Sequence, residues 1–211
     1  MNKTRLESFS DGVFAIAITL LALGVRLPES APASNEALAG NLAGMLPSLL
    51  TYMFTFLVVG VFWVAHHRIF GLAKRLDATL MWVNIAYLMA VAIIPVPAAI
   101  LARSPLFQSA ILFYTGTLFV VSSLHFVFLA YIYRHPELRE AHFTPELLAT
   151  ARRTASVGPC CYLGAAISSY FAPALSFAFV LAALVFYIFF ANRVRLFRTE
   201  AARGEAAGPS A

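Results

Sequence analysis

The sequence contains little charge and almost no cysteine. Asp, Glu, Lys and Arg together make up 12% of its 211 residues, about half of their share in an average soluble domain. So few charged groups cannot wet the surface of a soluble protein of this size, and the same composition excludes a disordered chain and a nucleic-acid-binding domain. The two cysteines, Cys160 and Cys161, are neighbours in the chain. Neighbouring cysteines rarely pair, so the chain is not a disulfide scaffold.

Apolar residues take the place of the missing charge. They account for 61% of the chain, and the mean hydropathy is +0.80. A helix needs roughly 17–25 residues to cross a hydrocarbon core about 30 Å thick. The predicted spans are residues 9–27, 46–65, 80–101, 106–133 and two spans that divide the stretch 155–192 at Pro173. The sequence therefore predicts an all-α integral membrane protein, with six transmembrane helices in residues 1–198 and a short disordered tail in residues 199–211.

The first apolar stretch allows a second interpretation. Basic residues precede it and Ala31-Pro32-Ala33 follows it, which is the pattern of a secretory signal peptide with its cleavage site. The acid Asp11 at the start of the stretch disfavours this interpretation, because signal peptides rarely carry an acid there. We therefore expect the stretch to remain as the first span.

The positive charges are distributed unevenly between the two sides of the predicted spans. Of the 15 Lys and Arg residues, only Arg26 and Arg103 fall on the outer side if the N-terminus is inside. Short loops rich in Lys and Arg stay in the cytoplasm. The sequence thus predicts that both termini are cytoplasmic, and the net charge of +5 is explained by topology rather than by a nucleic-acid partner.

Strongly polar side chains are costly inside a membrane, so those within the spans are candidate functional or structural sites. Helical depth places five of them in one layer near the cytoplasmic face: Ser10, Asp11, Trp63, His67 and Asn84. These groups can satisfy one another's hydrogen bonds, which favours a network that ties three helices together. Two alternatives are a proton-coupled role and a metal site of Asp11, His66 and His67, although adjacent histidines point about 100° apart on a helix.

The first helix also has an aliphatic face. At about 100° per residue, Ile16, Leu20 and Leu23 lie within about 60° of one another, with Thr19 beside them. Ser10 and Asp11 lie roughly 120–140° away from Ile16, on a different face. The aliphatic face can point to lipid, to another subunit or to a pore, and periodicity alone does not choose among them.

The start of the first span carries a specific motif. The segment Arg5-Leu6-Glu7-Ser8-Phe9-Ser10-Asp11 resembles the Arg-x-x-x-Phe-Ser-Asp signature of the transmembrane protein 175 family, whose members are potassium-permeable channels of endolysosomes and prokaryotes. The bacterial form has six transmembrane helices per subunit. It also has a tryptophan four residues before a histidine at the end of the second helix, as Trp63 and His67 stand here. The third span also resembles the family in the segment that contains Asn84.

The resemblance implies a homotetramer in which the first helix of each subunit lines the pore, without the TVGYG filter of ordinary potassium channels. The family's hydrophobic constriction begins five residues after the signature aspartate, which is Ile16 here. Further pore positions follow at Thr19, Leu20 and Leu23. The signature side chains, on the other face, tie the helix to its neighbours. The network implied in this way comprises Arg5, Phe9, Ser10, Asp11, Trp63, His67 and Asn84.

We therefore expect a potassium-permeable cation channel in a prokaryotic cytoplasmic membrane, with a modest preference for K⁺ over Na⁺. It needs the lipid bilayer and other copies of itself as partners, and no cofactor or resident metal. A proton-conducting channel or proton-coupled transporter that uses Asp11 and His67 is the alternative. An enzyme is disfavoured, because no nucleophile–base pair or metal-ligand set shares a depth outside the polar layer.

Overall fold

The computed structural model describes residues 3–25, 32–140 and 145–206. Within these residues the chain forms eight α-helices and no strand beyond an isolated bridge. The helices are α1 (Lys3–Leu23), α2 (Asn35–Gly44), α3 (Leu46–Leu72), α4 (Ala78–Ala92), α5 (Pro95–Arg103), α6 (Gln108–Arg134), α7 (Pro145–Ser168) and α8 (Pro173–Ala206). The all-α class that the sequence predicts is confirmed.

Four helical segments of the described chain are long and apolar enough to cross a membrane. They are α1, α3, the segment Ala78–Arg103 that joins α4 and α5, and α6. These correspond to the first four predicted spans, although α1 begins at Lys3 and α3 continues to Leu72, beyond the predicted ends. Hydropathy marks the part of a helix inside the hydrocarbon, whereas the backbone stays helical into the polar interface. The apolar part of α8, Pro173–Phe189, is shorter than the four.

Prolines set two of the helix boundaries. Pro95 has no N–H to donate to the Val91 carbonyl, so α4 ends at Ala92 and α5 begins at Pro95 in nearly the same direction. Pro173 begins α8 after a short turn, as expected for a residue that suits the first position of a helix. The division of the last apolar stretch at Pro173 therefore agrees with the sequence interpretation.

The core lies between α1 and helices α3 to α8, all of which contribute buried apolar side chains. Helix α1 turns one narrow face inward, at positions three or four residues apart: Leu6, Ser10, Phe14, Ala17 and Leu21. That face packs on α3 and α4, while α6 packs on α7 and α7 on α8. Because one side of α1 is used for packing, its opposite side is exposed in a single copy of the chain.

A tyrosine from α8 enters the hydrogen-bond ladder of α7. Gly158 N–H donates to Tyr187 Oη at 2.9 Å, and Tyr187 Oη donates to the Thr154 carbonyl at 3.2 Å. The hydroxyl thus replaces a backbone hydrogen bond one residue before Pro159, where the helix contains a proline. A Cβ at residue 158 would lie 2.9 Å from Tyr187 Oη, so only glycine allows this close approach.

Helix α8 continues to Ala206, past the predicted boundary between the membrane domain and a disordered tail at residue 199. The segment 199–206 contains three Ala and two Glu, which are strong helix formers. The last five residues of the predicted tail lie outside the described residues.

The loop between α3 and α4 is fastened to the segment after α6. Ala73 pairs with Arg139 as an antiparallel bridge, and Lys3 Nζ donates to the Ala73 carbonyl at 2.7 Å. In the same loop Asp77 caps α4, because its Oδ1 accepts from Leu80 N–H at 2.8 Å while its Oδ2 accepts from Tyr131 Oη at 2.6 Å. These contacts lock together the end of the bundle that carries most of the basic residues.

The Asp77 cap gives a stability prediction. Partial desolvation alone would raise the pKa of Asp77, but the hydrogen bonds from Tyr131 and Leu80 outweigh it and lower the pKa. The cap therefore contributes stability above about pH 4, the usual value for an unfolded aspartate, and this contribution falls away as the pH drops further. We expect Asp77→Ala to cost about 1 kcal/mol at neutral pH, or roughly 2–4 °C in the midpoint of thermal unfolding.

Asp77→Asn is the matched control, because asparagine retains an oxygen that can cap the helix. It should lower the unfolding midpoint less than Asp77→Ala does. Equal losses in the two variants would mean that the cap is not the source of the stability.

Candidate pore helix and its anchoring network

A chain of hydrogen bonds inside the bundle ties three helices together. His66 Nε2 on α3 lies 2.7 Å from Asn84 Oδ1 on α4, and Asn84 Nδ2 donates to Ser10 Oγ on α1 at 3.2 Å. Ser10 Oγ in turn donates to the Leu6 carbonyl at 2.8 Å. The three side chains are buried. With the Nε2–H tautomer of His66, each of the three side chains has at least one hydrogen-bond partner, as polar groups in apolar surroundings require.

Aromatic rings hold His66 in one orientation. Its imidazole stacks on Tyr87, with 5.3 Å between centroids and 7° between planes, and Phe14 and Phe70 contact it at 5.5 and 4.6 Å. Tyr87 Oη donates to the Phe62 carbonyl at 3.3 Å. The packing therefore supports the orientation in which Nε2 of the imidazole points toward Asn84.

A second contact joins α1 to α3 at the edge of the bundle. Trp63 Nε1 donates to Asp11 Oδ1 at 2.8 Å, and the His67 ring stacks on the Trp63 indole at 6.1 Å and 27°. These three side chains are exposed in a single copy of the chain. The indole N–H is only a donor, so Trp63 cannot pass a proton between the two groups that it contacts.

The structure groups the predicted network residues into two sets. It brings Ser10 to Asn84 and Asp11 to Trp63, and it places His66 rather than His67 in the buried chain. The two histidines take different partners because adjacent side chains point about 100° apart on a helix. The remaining two residues of the predicted network, Arg5 and Phe9, lie on the exposed side of α1.

The burial of His66 agrees with the periodicity of α3. It lies seven residues after Val59 and four after Phe62, both of which are buried. His67 instead follows Trp63 by four residues and shares its exposed face. Without knowing which face is buried, the sequence alone does not distinguish the two adjacent histidines.

The predicted pore residues lie on the exposed side of α1. The side chains of Ile16, Leu20 and Leu23 are 60%, 42% and 78% exposed. Thr19 is exposed beside them, and its Oγ1 donates to the Ile16 carbonyl at 2.9 Å, so the oxygen can still accept a hydrogen bond. An aliphatic face of this size requires cover from lipid or from other copies of the chain.

The two histidines offer a test of the anchoring network. We expect His66→Ala to destabilise the protein by about 1–3 kcal/mol, because it removes the partner of buried Asn84 and leaves a cavity among the rings. His67→Ala, on the exposed face, should change stability by about 0.5 kcal/mol or less. Thermal unfolding of both variants in the same detergent checks the difference. A larger loss for His67→Ala would contradict the assignment of the anchor to His66.

The chain matches a known family over the part that contains these contacts. The family described as "Endosomal/lysosomal potassium channel TMEM175" matches residues 5–95, which run from the start of α1 to the start of α5. Both sets of contacts between α1, α3 and α4 lie within this match.

Relatives extend the similarity beyond that segment. A potassium channel of Streptomyces collinus is 46% identical over 104 residues, which are 49% of this chain and 50% of the relative. A protein of Danio rerio named "Endosomal/lysosomal proton channel TMEM175" is 26% identical over 211 residues, which cover 95% of this chain and 39% of the relative. The aligned part thus spans about half of the bacterial relative and less of the vertebrate one.

A solved structure covers almost the whole fold. The crystal structure of a lysosomal potassium-selective channel TMEM175 homolog from Chamaesiphon minutus superposes with a TM-score of 0.77 and 30% sequence identity. The match covers 91% of this chain and 97% of that chain. The sequence, the fold and the anchored first helix agree, and the chain belongs to the TMEM175 family of ion channels.

Proposed function

We propose that this protein is a potassium-permeable cation channel whose pore is lined by α1 of each copy. The observation that carries the proposal is the division of α1 into two faces. One face is held to α3 and α4 by buried hydrogen bonds, and the other exposes Ile16, Leu20 and Leu23. The relatives named as potassium channels support K⁺ as the permeating ion.

The assembly we infer is a homotetramer. Each chain supplies one copy of α1, and four such helices around an axis leave a narrow neck between their side chains. Four Ile16 side chains make this neck apolar, so it gates by dewetting and passes an ion only when it is wide enough to stay hydrated. The Thr19 hydroxyls would offer oxygen lone pairs next to the neck.

The neck has no ring of backbone carbonyls to replace the hydration shell of an ion. Discrimination therefore rests on the cost of dehydration and on pore width, from which we expect a modest preference for K⁺ over Na⁺.

The topology we infer has six crossings, with both termini in the cytoplasm of a prokaryote. Helix α7 and the apolar part of α8 would supply the last two crossings, joined by the turn before Pro173. This arrangement puts the basic loop that contains Lys74 and Arg75 on the cytoplasmic side, in agreement with the distribution of Lys and Arg. The bundle formed by α6, α7 and α8 supports α7 and α8 as part of the membrane domain.

Proton permeation is a second candidate, which the name of the Danio rerio relative favours. The contact between Asp11 and His67 runs through the Trp63 indole, which does not accept a proton. If protons cross, we therefore expect them to use the water in the wetted pore rather than a relay of these two side chains.

Replacement of Ile16 tests the channel proposal. Ile16→Asn should increase the K⁺ current and weaken the preference for K⁺ over Na⁺, because a polar ring keeps the neck wet. The measurement is electrical recording of the purified protein in planar bilayers, with K⁺ on one side and Na⁺ on the other, repeated under a pH gradient to detect a proton current.

Ala15→Asn is the matched control, because Ala15 is exposed on α1 but lies about 100° from Ile16. It should leave the K⁺ current and the preference for K⁺ unchanged. Absence of current from the wild-type protein, or an Ile16→Asn current equal to wild type, would contradict the proposal.

A further inference from the structure

Arg5 and Phe9 lie on the same face of α1 as Ile16. At about 100° per residue, they point about 20° to either side of Ile16. The side chain of Phe9 is 58% exposed, and Arg5 is also exposed in a single copy of the chain. Gly12, which lies between Phe9 and Ile16, is exposed about 40° from Ile16. The exposed face of α1 therefore continues from Ile16 to the N-terminal end of the helix.

The charge of Arg5 is not neutralised within a single copy. Arg5 makes no hydrogen bond or ion pair with the part of the chain that the structure describes. The acids closest to it on α1 point elsewhere, since Glu7 lies about 160° and Asp11 about 120° from Arg5 around the helix. By contrast, Lys3 Nζ donates to the Ala73 carbonyl. Because a guanidinium stays protonated in proteins, Arg5 brings a lasting positive charge to the exposed face.

The backbone of α1 adds positive charge at the same place. Arg5 lies in the first turn of the helix, which has no acidic residue. The unpaired N–H groups of a helix N-terminus act as about half a positive charge, which favours acids and disfavours cations there. The retention of Lys and Arg in the cytoplasm explains a basic residue at this end of the chain. It does not explain why that residue shares a face with Ile16.

A four-fold assembly would turn this single charge into a ring. In the homotetramer that we infer, each copy places Arg5 on the side of α1 that faces the axis. The rise of 1.5 Å per residue separates Arg5 from Ile16 by about 17 Å along the helix, about half of a hydrocarbon core about 30 Å thick. Four Arg5 side chains would then surround the cytoplasmic mouth of the pore, and four Ile16 side chains would form the neck near its middle.

We propose that Arg5 forms a ring of positive charge at the cytoplasmic mouth and limits the entry of cations into the pore. The proposal rests on the pore-lining role of α1 and adds a second determinant of conduction to the neck. Four unit charges one helix diameter from the axis, about 10 Å, lower the local K⁺ concentration by a factor of about five to ten in about 10 mM salt. In about 1 M salt, where the Debye length is about 3 Å, the effect nearly disappears.

Unitary currents in the two directions test the ring. Wild-type channels are recorded in planar bilayers with equal KCl on both sides, at about 10 mM and at about 1 M. At the lower concentration we expect the K⁺ current that enters at the Arg5 end to be smaller than the reverse current, because the ring reduces the supply of K⁺ at that end only. At the higher concentration the two currents should be nearly equal.

Variants assign the asymmetry to Arg5. At about 10 mM KCl, Arg5→Gln should raise the current that enters at the Arg5 end about fivefold, and Arg5→Lys should retain the wild-type current because it keeps the charge. Arg134→Gln is the matched control, because Arg134 is an exposed cation in the last turn of α6, at the same end of the bundle. It should leave the currents unchanged, since it does not lie on α1.

Chemical modification separates charge from structure within one assembled protein. After Cys160 and Cys161 are replaced by alanine, the Arg5→Cys chain carries a single thiol. A membrane-impermeant cationic methanethiosulfonate restores a positive charge at residue 5, and an anionic one introduces a negative charge. At low salt we expect the cationic reagent to decrease the unitary current and the anionic reagent to increase it. Each should act from one side of the bilayer only, and that side identifies the Arg5 end.

The same change of current with both reagents would overturn the proposal, and so would wild-type currents that are equal in the two directions at low salt. If Arg5 serves assembly alone, Arg5→Gln lowers the yield of tetramer while the unitary current of the remaining channels stays at the wild-type value, which would also overturn it. The pore proposal is decided separately by the response of the current to Ile16→Asn. A protein that passes no current contradicts both proposals.

Discussion

The two hydrogen bonds that join Asn84 on α4 to Ser10 on α1 and to His66 on α3 are the interaction on which the rest of the structure depends. A polar group buried among apolar side chains is costly unless it is paired. The amide of Asn84 has two sides, and it is satisfied only when α1 and α3 present a hydroxyl and an imidazole to it at the same depth. This requirement sets the rotation of α1 about its own axis, and a helix whose rotation is set has a defined outer face.

The same geometry gives α3 two separate roles. His66 points inward to Asn84, while Trp63 and His67 point outward, because neighbouring side chains differ by about 100°. Trp63 donates a hydrogen bond to Asp11 on α1, and His67 stacks on Trp63. The inner contacts thus hold α1 in place, and the outer ones lie where lipid or another copy can reach them.

Hydropathy locates the first four membrane segments, because burial in lipid requires long runs of apolar residues. The division of the last apolar stretch is predicted by Pro173, because proline breaks or begins helices. It does not give the helix ends, since α1 begins at Lys3 and α8 continues to Ala206, in segments that are polar and still helical. The composition of a segment indicates whether it lies in lipid or in water. The ends of a helix also depend on the helix propensity of the residues and on capping residues such as Asp77.

The site is predictable in part. Ser10, Asp11, Trp63 and Asn84 stand out in the sequence because strongly polar residues are rare in membrane spans. The choice between His66 and His67 depends on which face of α3 is buried, and this follows from packing against Tyr87 and Phe14 far away in the chain.

The central claim is that the aliphatic face of α1 lines a pore, and cysteine accessibility tests it most directly. Cys160 and Cys161 are first replaced by alanine, so that Ile16→Cys and Ala15→Cys each carry one thiol. Ala15 is also exposed in a single copy but points about 100° away from Ile16. Our account predicts that Cd²⁺ blocks the K⁺ current of the Ile16→Cys protein, because its thiolates converge on the pore axis, and spares that of Ala15→Cys. Block at Ala15→Cys without block at Ile16→Cys would contradict it.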